Sequence, residues 1–571
     1  MKKLSLKVFL FFIGLALVFP AVFSFFDPKM PSFHDETQLA NVFQYQKTIS
    51  LGQFPPRWAP DMHFEYGSPF PEFNYQLPYY LTFIFSKLGL SLTWSFKMVM
   101  VLSVFIGYTS FFLLSVQFAP PAVALLGALV YTYTPYRAVN LFVRGTLGES
   151  LAFSLFPFIL LFLLRIIKKP CIINSVGAGI FTALLIITHQ PATILTLPFI
   201  YLLTLGISLF TKNIKSLSYQ IFSGLIAIFL STYYWLPVLL ERKFLIKSSP
   251  FNFYDHFPFI KQLIYSPWGY GSSNWGPYDD FSLQIGLINI VFVAFALIIS
   301  GYLFLKKGHK EKRLLLPLCL SLACFFLAVF LMNIRSTPFW TIFPFTQEIQ
   351  FPWRILMVTT FFSSLLGVIS LTAIPLSKTH LNLLIIGLSV SVVALNVFYF
   401  RPGGLFSHDD SYFLRRFLPR ESLKQGEAIS PLYLQHSEDY VVLPINAVRP
   451  TSLPAGKITS ILPDTKIDTN LSNPFNFSAK IVSPYGDKLT IHDFYFPGWV
   501  VKLDNLPTKL TLNYYGAMTL SVSSGSHTLN VYFADTPTRF LSNIISLGTL
   551  IVLVIYIFYH QYNSHHGKRR N

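Results

Sequence analysis

The sequence predicts an α-helical polytopic membrane protein, with about 12–13 transmembrane helices and an extracytoplasmic β-sandwich or jelly-roll-like domain before the last helix. Three observations predict it. Of 571 residues, 53% are hydrophobic and only 12% are charged, about half the charge of a soluble chain. Apolar runs near the ~20 residues a bilayer core requires recur along the first 400 positions and once more near the end. Between residue 473 and the last run the pattern changes to strand-like alternation. This composition excludes a soluble cytosolic enzyme and a disordered or collagen-like chain.

The expected spans are 4–26, 92–118, 121–136, 149–167, 172–188, 192–210, 219–240, 283–305, 314–332, 355–374, 381–400 and 540–559. The first begins at a basic N-terminus like a signal peptide, but it lacks a clear small-residue cleavage site and reads as an uncleaved helix. The run 77–90, about 14 residues, is too short to cross and suits a half-buried or re-entrant segment. The net charge of +18 comes from short basic clusters between apolar runs: Lys2 and Lys3, Lys168 and Lys169, Lys306 to Arg313, and Lys568 to Arg570. Such a distribution fits cytoplasmic loops rather than a nucleic-acid surface. With 77–90 not crossing, these clusters and those at Lys212, Lys215 and Lys378 all fall on one side. Twelve crossings then put both termini in the cytoplasm of a cytoplasmic-membrane protein, and thirteen stay open. The three cysteines, Cys171, Cys319 and Cys324, form no CxxC and no disulfide framework.

This topology places four longer segments outside: 27–76, 241–282, 333–354 and 401–537. Residues 1–400 form a transmembrane domain whose first external loop is 27–76. Residues 401–537 form an external domain, β-rich from about 473, and 538–571 hold the final helix and a basic tail. The β alternation runs through Phe477–Val482, Lys488–His492, Trp499–Leu503, Met518–Val522 and His527–Phe533, separated by turn residues. Sequons at Asn470 and Asn476 are short patterns that matter only in a glycosylating host.

Candidate chemistry lies beside the spans, where the membrane makes polar groups expensive. Phe33-His34-Asp35-Glu36 follows the first span. A carboxylate there can act as a general base, or orient a metal or a sugar; the alternative is a solvated loop acid at a helix N-terminus. Gly52 to Trp58, with Arg57, leads to Gly67-Ser68-Pro69 and on to Tyr75, Pro78, Tyr79 and Tyr80. Aromatic rings stack on sugar faces and arginine pairs with phosphate, although an interfacial aromatic belt also explains the Tyr and Trp. Arg144-Gly145-Thr146-Leu147-Gly148-Glu149, His189-Gln190-Pro191 and Gln350-Phe351-Pro352-Trp353-Arg354 complete the set. Arg144 and Arg354 can grip a lipid phosphate, or simply snorkel to the interface. No Walker A, GxGxxG, HExxH or GxSxG pattern has supporting context, and the 13 histidines form no ligand cluster.

The pattern His34-Asp35, Pro56-Arg57-Trp58, Gly67-Ser68-Pro69, Phe73-Asn74-Tyr75 and Pro78-Tyr79-Tyr80, with Arg144-Gly145…Glu149 and Gln350…Arg354, resembles the bacterial membrane family labelled 6-pyruvoyl-tetrahydropterin synthase-related. The layout is similar to the GT-C superfamily of integral-membrane glycosyltransferases. The C-terminal block from Phe496 through Trp499, Asp504, Gly516, His527 and Phe533 to Arg539 resembles the corresponding part of large bacterial GT-C-like proteins. The resemblance implies transfer of a sugar from a polyprenyl-phosphate-linked donor to an external glycan, lipid or protein acceptor, with membrane lipid as the surroundings. It implies Asp35 as the catalytic acid with Glu36 as its neighbour. His34, Arg57, Trp58, Tyr75, Arg144, Glu149, His189, Gln350 and Arg354 are the expected substrate-binding set. No metal ligand and no required cofactor is expected; a divalent cation is left open. The alternative is a non-enzymatic transporter or assembly factor for lipid-linked envelope polysaccharide. A transporter calls for charges at span centres and paired broken helices. The sequence has few such charges and no repeat, which favours the enzyme.

Overall fold

The computed structural model describes residues 2–246, 252–306, 312–343, 346–374, 378–418, 442–450 and 452–567. Most of the basic loop 306–313, the basic residues 568–570 and part of the expected external domain, 419–441, lie outside these. Each of the twelve expected runs contains helix. Among the described residues eight helices are long and apolar enough to cross a membrane: Leu6–Phe26, Leu92–Ser115, Leu147–Lys168, Gln190–Phe210, Leu287–Leu305, Arg313–Leu331, Pro352–Ala373 and Pro537–His560. The pair Ile214–Leu230 and Thr232–Phe244, bent by 69°, makes a ninth if it crosses as one. Pro121–Thr132, Ile172–Ile186 and Leu383–Tyr399 are shorter apolar helices. The segment expected not to cross forms the helix Leu77–Lys87. Pro352–Ala373 is almost wholly enclosed by its neighbours, whereas Pro537–His560 is mostly outward-facing.

Helix ends follow local chemistry. Ser91 caps Leu92–Ser115 by accepting from the Trp94 amide at 3.3 Å, and the Asp410 carboxylate takes the amides of Leu92 and Thr93, both at 2.9 Å. His189 caps Gln190–Phe210 through Nδ1, which accepts from the Ala192 amide at 3.2 Å. One apolar core unites most of the helices, and it includes Phe413 and Leu418; the last helix packs through Leu553 on Val176 and Ile226 in a smaller cluster. The start of the expected external domain therefore packs on the membrane domain. Its strand Leu405–Phe406 also pairs with Met30–Pro31 of the first loop.

The β-domain is a sandwich of two antiparallel sheets. The first orders Ile458–Ser460, Asp487–Phe494, Ala517–Val522 and Thr511–Leu512; the second orders Lys466–Asn470, Asn476–Ser483, Gly525–Phe533, Trp499–Leu503 and Leu506–Pro507. Strand structure thus starts before residue 473, in Ile458–Ser460 and Lys466–Asn470, strands of three and five residues that are too short to stand out by alternation in the sequence. In Trp499–Leu503, Trp499 and Val501 are buried and Val500 and Lys502 half-buried, as the alternation requires.

The sandwich core is not self-contained. Trp58, Phe64 and Tyr66 of the first loop are buried in it. Trp58 meets Trp499 edge-on at 5.6 Å and lies 5.6 Å from Phe533, and the Phe494 amide donates to the Tyr66 carbonyl at 2.8 Å. A buried ionic joint completes the junction. Arg539 of the last helix lies 2.8 Å from Glu72 and 2.6 Å from Glu241, with its guanidinium over Phe496 and Phe533. Trp58→Phe is expected to cost about 1–2 kcal/mol through lost packing. Limited proteolysis of the full chain checks it, since the loop around residue 58 becomes easier to cleave.

Candidate active site

Two glycines and a break in the helical run build the site. The segment Val139–Arg144 is a π-helical turn that ends at Gly145, whose φ is +72°. A Cβ at Gly145 would lie 2.3 Å from the Phe33 ring, and one at Gly148 would lie 2.9 Å from both Tyr75 and His189. Glycine at these positions lets the first loop and the 187–191 corner close onto the break. The loop is then pinned by its backbone: the His34 amide donates to the Val143 carbonyl and the Asp35 amide to the Arg144 carbonyl, each at 2.9 Å.

Glu149 opens helix Leu147–Lys168 and is fully buried. Its carboxylate accepts from Arg144 Nη1 at 2.7 Å and Asn140 Nδ2 at 3.2 Å, takes a short hydrogen bond from the Tyr136 hydroxyl, and lies 3.6 Å from Arg354 Nε. Arg144 Nη1 also donates to Asn140 Oδ1 at 2.7 Å, and its guanidinium lies 4.8 Å from the Trp353 ring centre. Arg354 Nη1 donates to the Ile349 carbonyl at 2.8 Å. Before it, Gln350 holds a φ of +65°. That left-handed turn is strained for a non-glycine residue, and the next helical turn, Pro352–Ile355, carries Arg354.

These groups surround one cavity of about 660 Å³. His34, Asp35, Tyr75, Arg144, His189, Gln350 and Arg354 all line it; Glu149 stands behind Arg144 and Arg354. Asp35 is half-buried at the wall. Burial holds its carboxyl above the ordinary range, and Arg144, His34 and Arg354 pull against that rise. Tyr75 donates its hydroxyl to Gln38 Oε1 at 3.0 Å and stacks on Tyr79 at 5.2 Å. His34 Nε2 donates to the Tyr270 carbonyl at 2.7 Å.

Three expected site residues lie elsewhere. Glu36 is the N-cap residue of helix Thr37–Ser50 and does not line the cavity. Arg57 is buried at the junction with the last helix, donating to the Tyr233 carbonyl at 3.0 Å and to Asn543 at 3.1 Å. Trp58 fills the β-domain core. An arginine and a tryptophan in a Pro/Gly-rich loop look alike in sequence whether they meet a ligand or a partner domain. Conversely, the sequence does not single out Tyr136 and Asn140, which hold Glu149. Asn140 stands four residues before Arg144, a spacing that puts both on one helical face; Tyr136 has no such local signal. Among the described residues no group of three His, Cys, Asp or Glu is placed to hold a metal ion.

No family model matches the chain, so none supports the pterin-synthase-related resemblance. A Lactococcus lactis subsp. cremoris (strain MG1363) relative, described as an uncharacterized protein, is 26% identical over 353 residues, 58% of this chain and 55% of its own length. The chain therefore spans about half the length of that curated relative. Among solved structures, mycobacterial arabinofuranosyltransferase AftD aligns at a TM-score of 0.42 and 14% identity, over 71% of this chain and 27% of that one. ArnT from Cupriavidus metallidurans, bound to undecaprenyl phosphate, aligns at 0.39 and 11%, over 68% of this chain and 69% of that one.

Proposed function

We propose that the chain is an integral-membrane glycosyltransferase that moves a sugar from a polyprenyl-phosphate-linked donor to an acceptor at the outer face of the cytoplasmic membrane. The observation that carries this reading is one cavity lined by Asp35, Arg144 and Arg354. An acid beside two guanidiniums suits a displacement in which a phosphate leaves. The acceptor hydroxyl oxygen bonds to the anomeric carbon as the bond from that carbon to the phosphate oxygen breaks. Asp35 takes the hydroxyl proton, and the electron pair departs on the lipid phosphate. Contacts to Glu149, Asn140 and Ile349 leave both guanidiniums with further N–H groups. Those N–H groups hold the departing phosphate, an electrostatic role that grows as charge develops. Glu149 offsets part of their charge and fixes their geometry.

The reading is tested with membranes enriched in the chain. They should consume a polyprenyl-phosphate-linked sugar that control membranes leave intact. Binding of such a lipid without consumption, across a panel of sugars and acceptors, moves the reading to a transporter or assembly factor.

The outer-face assignment makes a separate prediction. A single cysteine introduced at Ser524, an exposed turn position, should react with a membrane-impermeant maleimide in intact cells. Labelling only after cell disruption reverses the topology.

A further inference from the structure

The same cavity has a second polar wall, contributed by the external segment 252–280 and by Trp353. His256, Ser272 and Ser273 line it. Ser273 Oγ donates its one proton to Asp279 Oδ1 at 2.9 Å. It accepts from Trp353 Nε1 at 3.1 Å and meets His256 Nδ1 at 3.0 Å. Asp279 behaves as an ionised acceptor: it also takes the Asn274 amide at 2.9 Å and Gln262 Nε2 at 2.7 Å. A hydroxyl has one proton and two lone pairs. With the proton spent on Asp279 and one lone pair on Trp353, the contact to His256 needs an N–H from the imidazole. His256 is thereby held in the Nδ1–H tautomer. Burial holds it below its usual pKa, against the pull of Asp255 and Asp279, so the ring is neutral near pH 7. A neutral Nδ1–H imidazole has a bare lone pair on Nε2. Among the described residues Nε2 has no hydrogen-bond donor, and it is not sealed from solvent. Phe351, edge-on at 4.8 Å, and the Ser273 bond together fix the ring plane.

Resting on the glycosyl-transfer reading, we propose that His256 Nε2 is a specificity-determining acceptor that takes a hydrogen bond from a carbohydrate hydroxyl in the cavity. Arg144 and Arg354 supply cations for phosphate. This wall supplies an acceptor, which a phosphate oxygen cannot use and a sugar hydroxyl can. Ser273 and Asp279 act through His256 as positioning residues. The hydroxyl belongs either to the carrier-linked sugar or to the acceptor.

The test measures binding to the full chain in lipid nanodiscs. The probes are undecaprenyl phosphate, the same lipid carrying a hexose or pentose from a panel, and methyl glycosides added with undecaprenyl phosphate as acceptor mimics. His256→Ala should weaken binding of the glycosylated lipid or of the methyl glycoside about 10-fold, while bare undecaprenyl phosphate binds as to wild type. The arm that weakens identifies the source of the hydroxyl. His256→Gln, whose amide oxygen can accept in place of Nε2, should recover part of the loss. Ser273→Ala, which frees the tautomer, should give a smaller loss in the same arm. Loss in neither arm, or equal loss of bare undecaprenyl phosphate, overturns the proposal. If wild type binds neither bare nor glycosylated lipid, the glycosyl-transfer reading falls and this proposal with it.

Discussion

On the proposed glycosyl-transfer reading, Asp35→Asn should lower sugar transfer by about 10²–10⁴-fold, the range that a positioned general base contributes, while the protein level in membranes stays that of wild type. Asparagine keeps the size and removes the charge. The backbone bonds that pin the loop, from His34 and Asp35 to Val143 and Arg144, do not involve the side chain, so the fold survives. The measurement is disappearance of a polyprenyl-phosphate-linked sugar in membranes containing each variant. Glu36→Gln is the control: Glu36 lies outside the cavity at a helix N-cap, and its effect should be much smaller. Full activity in Asp35→Asn removes Asp35 as the base. The pH profile gives a second reading of the same residue. Burial raises the Asp35 pKa above its ordinary 3.8, and a base works only when ionised. Activity should therefore fall as pH drops through that raised pKa, and Asp35→Asn should flatten this acid limb. The linkage sign is opposite for stability: the folded state holds the proton more tightly, so ionising Asp35 as pH rises costs folding free energy.

How much of this was legible in the sequence differs by kind of signal. Apolar runs and strand alternation are periodic, so the helices and most of the sandwich could be read directly. Asp35, Arg144 and Arg354 were legible because a charged residue beside a span is costly and asks for a reason. Their assembly around Glu149 depends on the π-helical break and on Gly145 and Gly148, which local patterns mark only as a turn. The short strands Ile458–Ser460 and Lys466–Asn470 escaped because strands of three and five residues carry little alternation. In the sequence Arg57 and Trp58 read as ligand contacts, whereas they meet the last helix and the β-domain, over 400 residues away in sequence. The His256 wall was invisible for the same reason: Ser273 and Trp353 are 80 residues apart, and no spacing rule links a loop serine to a span-opening tryptophan.

The largest stability effect should come from Glu149→Gln. Glu149 is fully buried, and its carboxylate gathers Tyr136, Asn140, Arg144 and Arg354. Removing one partner of a buried ion pair typically costs about 3–5 kcal/mol, because the other charge is left uncompensated. Here two guanidiniums lose their shared counter-ion at once. Gln keeps the shape and one carbonyl acceptor, but its amide NH₂ cannot take an arginine N–H and turns a donor towards one of its partners. Thermal unfolding of the detergent-solubilised full chain should shift down clearly, and the first loop should become more protease-sensitive, since its backbone rests on Val143 and Arg144. A buried salt bridge can be neutral when both partners are replaced by packed apolar groups. Glu149→Leu combined with Arg144→Met should therefore recover part of the stability lost in Glu149→Gln. It should not recover transfer, because one of the two cations proposed to hold the phosphate is gone. If Glu149→Gln instead unfolds like wild type, Arg144 and Arg354 are held by other contacts, and Glu149 is not the group that sets the geometry of the cation pair.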